Sequence, residues 1–377
     1  PIKRKLEKIF DKFYQSIFDA LSELHRNFPF YSPRYIAHML SDVTLPALVG
    51  YFMAMLYNPN NVTPEAAPVT VDWEMEVGKE VLKMLGYKVP PDPSPIEKID
   101  NYLSKLQREF GWAHITSGGT AANLEALWVA RNVRYFPLAI RDVCIKENIP
   151  LLVKTPKGEQ KDISELDDYE LLLIKPNEAI YLLGRYVNEV GKKFSFSSTK
   201  LAEIRQKALK LLNESEYNIG RGFGKLFTKY PPIILTSGTA HYSIGKIADV
   251  LGIGRRNVIF IDIDSMFRMD VKDLKEKILT ALDDRKIPLA VIPTVGTTEE
   301  GAIDPVHEIV DLRIDLERKH DASFWMHVDA AWGGFISSLI MLEEEDEIRT
   351  ILSKIIIKLG KKPISEDIKE LHREIIK

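Results

Sequence analysis

"PPIILTSGTAHYSIGKIADVLG", residues 231–252, carries the reading of the fold. It begins as an apolar run through Ile233, Ile234 and Leu235, turns at Gly238, and continues as a helical sequence that closes on Gly252. A strand without polar alternation is buried on both faces, which is the habit of parallel sheets covered by helices. The same alternation recurs on either side. Upstream, "GWAHITSGG" (111–119) reads as a short strand and "TAANLEALWVARNV" (120–133) as a helix. Downstream come the strand "NVIFIDID" (257–264), the helix "DVKDLKEKILTALDD" (270–284) and the strand "PLAVIPTVGTT" (288–298). The helix "DPVHEIVDLRIDLERKH" (304–320) and a strand over residues 323–328 follow. The pattern predicts an α/β fold, a mostly parallel sheet flanked by helices. A charged middle, residues 142–193, is expected to be irregular, with strand-like runs at 151–153 and 171–174.

The first stretch of the chain reads differently. Ile9, Phe10, Phe13, Ile17, Phe18 and Leu21 recur at helical spacing, and helices are expected around a loop at "NFPFYSPRY" (27–35). A rigid loop at 59–68, a helix at 73–85 and a Pro-rich connector at 87–95 come next. The expected organisation is an N-terminal helical arm over 1–95, a large domain over 96–335 and a helical tail over 336–377.

Bulk numbers narrow the class. With 377 residues, 45% of them apolar and 28% charged, the chain has the balance of a globular protein with a sizeable core. A net charge of −3 gives no reason to expect nucleic acid or a membrane surface as partner. No apolar run approaches the roughly 18 residues of a membrane span. Charges interrupt every apolar turn of the first residues, so they do not read as a signal peptide. One cysteine, Cys144, excludes an intrachain disulfide. A cytoplasmic protein is expected, and plentiful Lys and Glu beside scarce Gln lean toward a thermophilic source.

In such sheets ligands sit beyond the C-terminal ends of the strands. There, Gly118, Gly119 and Thr120 open a helix, where backbone N–H groups favour a phosphate, although a glycine pair also serves as a plain turn. The spacing is neither a P-loop nor a dinucleotide fingerprint. His241, at the start of the next helix, suits stacking on a planar ligand or moving a proton; a structural histidine is the blander alternative. Thr294, Thr297 and Thr298 gather at a third strand end. In "WMHVDAAWGG" (325–334), Asp329 ends a strand, and bare backbone surrounds its carboxylate. A buried, unpaired carboxylate costs several kcal/mol, so a cation is expected beside it. His327 and Asp329 share a face of the strand. No further pair with metal spacing accompanies them, so no metal is expected. A phosphate cradle, a ring stacker, hydroxyls and a carboxylate together suit pyridoxal 5′-phosphate, with Asp329 on the ring nitrogen.

"ITSGGTAANLEALWVARN", "TSGTAHYSIGKIADVLGIG", "VIPTVGTTEEGAIDP" and "HVDAAWGG" resemble the group II pyridoxal-phosphate-dependent amino-acid decarboxylases of fold type I. Residues 32–70 look most like the bacterial tyrosine decarboxylase branch, and the likeness covers most of residues 31–335. The resemblance implies that Gly119 and Thr120 hold the phosphate, that His241 stacks on the ring and assists proton transfer, and that Thr294 lies near the ring hydroxyl. It implies that Asp329 binds the ring nitrogen, that Ala331 packs on the ring face and that His38 contacts the substrate. A homodimer with the N-terminal helices as clasp is implied, acting on an aromatic amino acid, with glutamate or aspartate as alternatives.

The family's Schiff-base lysine lies in a "DPHK"-like segment after the aspartate motif, and none follows Phe335 here. The chain is expected to stop before that segment and before the small C-terminal domain. Residues 336–377 resemble a helical insertion of the tyrosine branch, the acidic run from Glu343 to Glu347 reads as solvated surface, and Lys354 and Lys358 take no Schiff-base role. The rival expectation is a non-catalytic remnant, or one half of a split decarboxylase completed by a C-terminal chain. Cysteine desulfurase chemistry would need a mobile cysteine, which Cys144 in its helix-like segment does not offer.

Overall fold

The computed structural model describes residues 2–30, 32, 34–35, 43–89, 110–197 and 200–339. His38, the connector from residue 90 and the tail from residue 340 lie outside the described residues. The contacts form two units, Pro1–Trp73 and Glu74–Lys377. In the first, α1 (Ile2–Leu24) and α2 (Leu45–Tyr57) are the helices expected around the loop. Phe10, Phe13, Phe18 and Leu21 of α1 are each about half exposed or more, and α2 buries none of its residues. Helix α3 (Thr70–Met84) follows the expected 59–68 loop.

The second unit opens within α3 and continues with α4 (Gly119–Lys146), the hairpin of β1 (Leu152–Lys154) and β2 (Gln160–Asp162), and α5 (Asp168–Leu172). Helices α6 (Pro176–Lys193), α7 (Leu201–Glu214) and α8 (Gly224–Lys229) complete a helical layer. Then strand and helix alternate as the apolar runs require: β3 (Pro232–Ser237), α9 (Ser243–Val250), β4 (Val258–Ile261) and α10 (Val271–Asp283). The unit continues through β5 (Ile287–Ile292), α11 (Val306–His320) and β6 (Trp325–Met326).

The four long-range strands are parallel, in the order β4-β3-β5-β6. Both faces of the sheet are covered. Ile234, Ala290 and Ile292 pack with Leu127 of α4 and Ile244 and Ile247 of α9. Ile233, Leu235 and Val291 pack on the other side with Leu274 and Ile278 of α10 and Ile309 of α11. Each such aliphatic side chain contributes roughly 1.5–3 kcal/mol on burial, which is why these strands carry no polar alternation. Asp270 caps α10 by accepting from Lys272 N at 2.8 Å, as an N-cap carboxylate does.

Four local expectations are corrected. Residues 111–118 form no strand; Gly111 N donates to Lys88 O at 3.0 Å, but no ladder of pairs with a described neighbour continues from it, and a strand exists only through its ladder. Trp112 and Ile115 stay exposed there. The middle is helical rather than irregular: α4 runs through Pro137 to Lys146, and α6 buries Ala179, Leu182, Tyr186 and Val190 at helical spacing. Residues 171–174 are not a strand either, because a capping box between Asp167 and Glu170 starts α5, and a short buried run does not by itself separate strand from helix. The strand expected over 323–328 pairs as β6 only at Trp325 and Met326, though His327 N and Asp329 N still donate to Val291 O and Pro293 O.

Candidate active site

Because the strands are parallel, their C-terminal ends form one edge, and the polar residues read from the sequence gather there. Asp329 pairs with Thr294 as a parallel bridge beyond the ends of β5 and β6. Asp329 N donates to Pro293 O at 2.9 Å, and Val295 N donates to Asp329 O at 2.8 Å, so the backbone of both residues is pinned. The Asp329 side chain is 7% exposed. Its Oδ2 accepts from Asn123 Nδ2 at 2.9 Å, and its Oδ1 accepts from Ala331 N at 3.3 Å. Among the described residues, no lysine or arginine pairs with it.

Asn123 is the residue that sequence reasoning missed. It sits in the second turn of α4, is 4% exposed, and spans both strand-end side chains: its Oδ1 lies 2.7 Å from His327 Nε2. The two-residue spacing that puts His327 and Asp329 on one face is what lets a single amide reach both. Burial pushes the His327 imidazole below its ordinary value, against the opposing pull of Asp329. The signal for Asn123 was present: Asn123, Leu127, Ala130 and Arg134 form one buried stripe of α4, and a polar residue on an apolar stripe marks a partner. Arg134 is the stripe's other polar member. Its guanidinium donates to the carbonyls of Leu172, Ile174 and Ser323 at 2.7–2.9 Å, tying α4 to α5 and to the approach of β6.

The three threonines separate. Thr294 is buried and its Oγ1 has no hydrogen-bond partner. Thr297 closes the turn, accepting from Ala302 N at 2.9 Å and donating to Glu300 at 3.0 Å, and Thr298 faces outward. Asp304, also missed, fixes this loop: its oxygens accept from Thr294 N at 2.7 Å and Met269 N at 2.6 Å. Burial raises its carboxyl above the usual range, and those two N–H bonds work against the rise.

Gly119 and Thr120 are exposed at the start of α4. The first N–H groups of a helix have no partner within it, and no side chain caps this end. A Cβ at Gly119 would stand 3.3 Å from the Ala331 Cβ, so the glycine turn, the end of β6 and Asn123 form one neighbourhood. His241 lies on the same edge, in the turn after β3 and ahead of α9 rather than inside it. Its Nδ1 accepts from Ser243 N at 3.2 Å and contacts Ser243 Oγ at 2.8 Å, which leaves the ring proton on Nε2. The described contacts of His241 are local, to Ser243 and to the Tyr242 ring at 4.2 Å. Cys144 is buried in α4 with its thiol pushed up to about 12, the opposite of a reactive cysteine.

A buried carboxylate without a cation, an orphan hydroxyl and an open helix end define a cofactor-type site. It suits an anionic group joined to a ring with a cationic atom. Residues 205–347 match the pyridoxal-dependent decarboxylase conserved domain. The chain is 34% identical to an L-tyrosine decarboxylase of Levilactobacillus brevis, over 88% of this chain and 44% of that protein. It is 32% identical to an L-tyrosine decarboxylase of Enterococcus faecalis, over 84% of this chain and 41% of that protein. A solved glutamate decarboxylase domain from Vibrio parahaemolyticus overlays with a TM-score of 0.49 at 21% identity, over 88% of this chain and 50% of that chain. Residues 205–347 thus carry a pyridoxal-dependent decarboxylase domain, and the likeness to the two tyrosine decarboxylases extends over most of the chain. It spans less than half the length of the tyrosine decarboxylases it matches.

Proposed function

We propose that this chain forms the cofactor-holding part of a pyridoxal 5′-phosphate-dependent decarboxylase of an aromatic, tyrosine-like L-amino acid. The observation that carries the reading is Asp329, a buried carboxylate held by two neutral donors with no cation of its own. A pyridinium N–H supplies the missing cation. When bound, the cofactor provides an electron-withdrawing ring that accepts the electron pair left as carboxylate departs as CO₂.

The chain's own residues have separable tasks. Gly119 and Thr120 offer unpaired N–H groups to the phosphate. Asp329 keeps the ring nitrogen protonated, and Ala331, small and beside Gly119, leaves room for a flat ring. Thr294 Oγ1 gains a partner in the ring hydroxyl. His241, with Nδ1 engaged by Ser243, presents Nε2–H for ring contact and proton transfer. His38 keeps the substrate-contact role that the resemblance implies. The tyrosine-like substrate is supported by the two tyrosine decarboxylase relatives. A homodimer completes the proposal, supported by the unburied apolar faces of α1 and α2, and the cytoplasm is its proposed location.

The test is an absorbance titration of the chain with pyridoxal 5′-phosphate, for wild type and Asp329→Asn. Loss of a charge-assisted hydrogen bond of about 1.5–3 kcal/mol is expected to weaken binding at least tenfold. Equal affinity in the two proteins would sink the assignment of Asp329. A spectral change on adding L-tyrosine but not L-glutamate supports the aromatic substrate, and the reverse pattern rejects it.

A further inference from the structure

We propose that Asn123 is a positioning residue that sets the proton states of Asp329 and His327 through the two ends of one carboxamide. The contacts are 2.9 Å from Nδ2 to Asp329 Oδ2 and 2.7 Å from Oδ1 to His327 Nε2. An amide has one donating end and one accepting end, so its orientation is coupled to the protons of both neighbours. With the NH₂ on Asp329, the aspartate accepts as a carboxylate and His327 donates from Nε2. With the amide reversed, Asp329 has to carry a proton and His327 has to present a bare Nε2. One rotation, with uptake of one proton from solvent, therefore exchanges a carboxylate and an Nε2–H imidazole for a carboxylic acid and an Nδ1–H imidazole.

One observation selects the first arrangement, and two more accord with it. Ala331 N–H also aims at Asp329, giving it a second donor and no acceptor. Burial favours the neutral form of His327, and in this arrangement its one ring proton sits on Nε2, facing Asn123 Oδ1. Asn123 itself cannot drift, because it lies on the buried stripe of α4 one turn before the fully buried Leu127. In this arrangement the amide spares Asp329 the cost of a lone buried charge and aims it before any cationic ring arrives. The proposal deepens the cofactor site read above and rests on that reading only for its second readout.

The first readout is NMR of the full chain carrying ¹⁵N-labelled histidine, with the His327 signal identified by its loss in His327→Gln. A single neutral Nε2–H tautomer at neutral pH is expected for His327 in the wild type. Asn123→Asp has the same shape but sets a second carboxylate against both partners, and His327 is expected to take up a second proton. An Nδ1–H tautomer in the wild type, or an unaltered His327 in Asn123→Asp, overturns the proposal. The second readout is affinity for pyridoxal 5′-phosphate, expected to fall about tenfold in Asn123→Leu. Equal binding by wild type and Asn123→Leu also overturns it. A wild type that shows the tautomer and binds no pyridoxal 5′-phosphate removes the cofactor reading and leaves the positioning role standing.

Discussion

At the scale of single residues, Thr294 gives the proposed cofactor site a direct test. Its hydroxyl is buried and has no hydrogen-bond partner among the described residues, while its backbone N–H is taken by Asp304. An unsatisfied buried polar group costs on the order of 1–3 kcal/mol. Thr294→Val keeps the shape and removes that cost. The chain without cofactor is expected to gain about 1 kcal/mol and a few degrees in Tm, measured by calorimetry, while affinity for pyridoxal 5′-phosphate falls. Lower stability in the variant would mean that the hydroxyl has an internal partner. His327 supplies a pH signature at the same scale. Burial depresses its folded pKa below the ordinary 6.5. Between those two values the unfolded chain binds more protons than the folded one, so stability present above about pH 6.5 is lost as pH falls toward the folded value. His327→Gln is expected to flatten that acid limb in denaturant titrations run at a series of pH values.

Among the elements, two glycines explain how strand ends come so close. Gly333 N donates to Val295 O at 2.9 Å, and a Cβ at Gly333 would stand 2.4 Å from that same carbonyl. Gly296, at φ +84, faces Gly333 from the other side. The loop after β5 and the turn after β6 thus interlock by bare backbone, and they carry Thr294 and Asp329 with them. Gly333→Ala is expected to cost at least 1–3 kcal/mol, the range for overpacking a tight site, and to weaken cofactor binding with it. Thermal unfolding and the absorbance titration read the two effects, and a variant with native stability would show that the interlock is slack. These elements also show where sequence reading stops. The capping box at Asp167 and Glu170 and the helical stripe of α6 are local patterns that the expectation of an irregular middle passed over. The failed strand at 111–118 was not legible locally, since pairing depends on a neighbour far along the chain.

For the whole molecule, the arm is the part that lacks a finished surface. Phe10, Phe13 and Phe18 of α1 are more than half exposed, and α2 has no buried residue. Contiguous exposed apolar surface marks an interface. A dimer is expected in sedimentation equilibrium, and replacing Phe10, Phe13 and Phe18 by glutamate is expected to shift the chain toward monomer without unfolding the sheet. An unchanged mass in that variant would place the interface elsewhere.

Apolar runs without alternation, helical spacing and glycine turns were enough for the parallel α/β class, for placing His241, Thr294 and Asp329 at strand ends, and for putting Gly119 at the start of a helix. Those features depend on neighbours a few residues away. Only the tertiary structure could show Asn123 between His327 and Asp329, Asp304 behind Thr294 and Gly333 against Val295. Asn123 and Asp329 are 206 residues apart, and no local pattern states which distant groups the packing of helix on sheet will bring within hydrogen-bond reach.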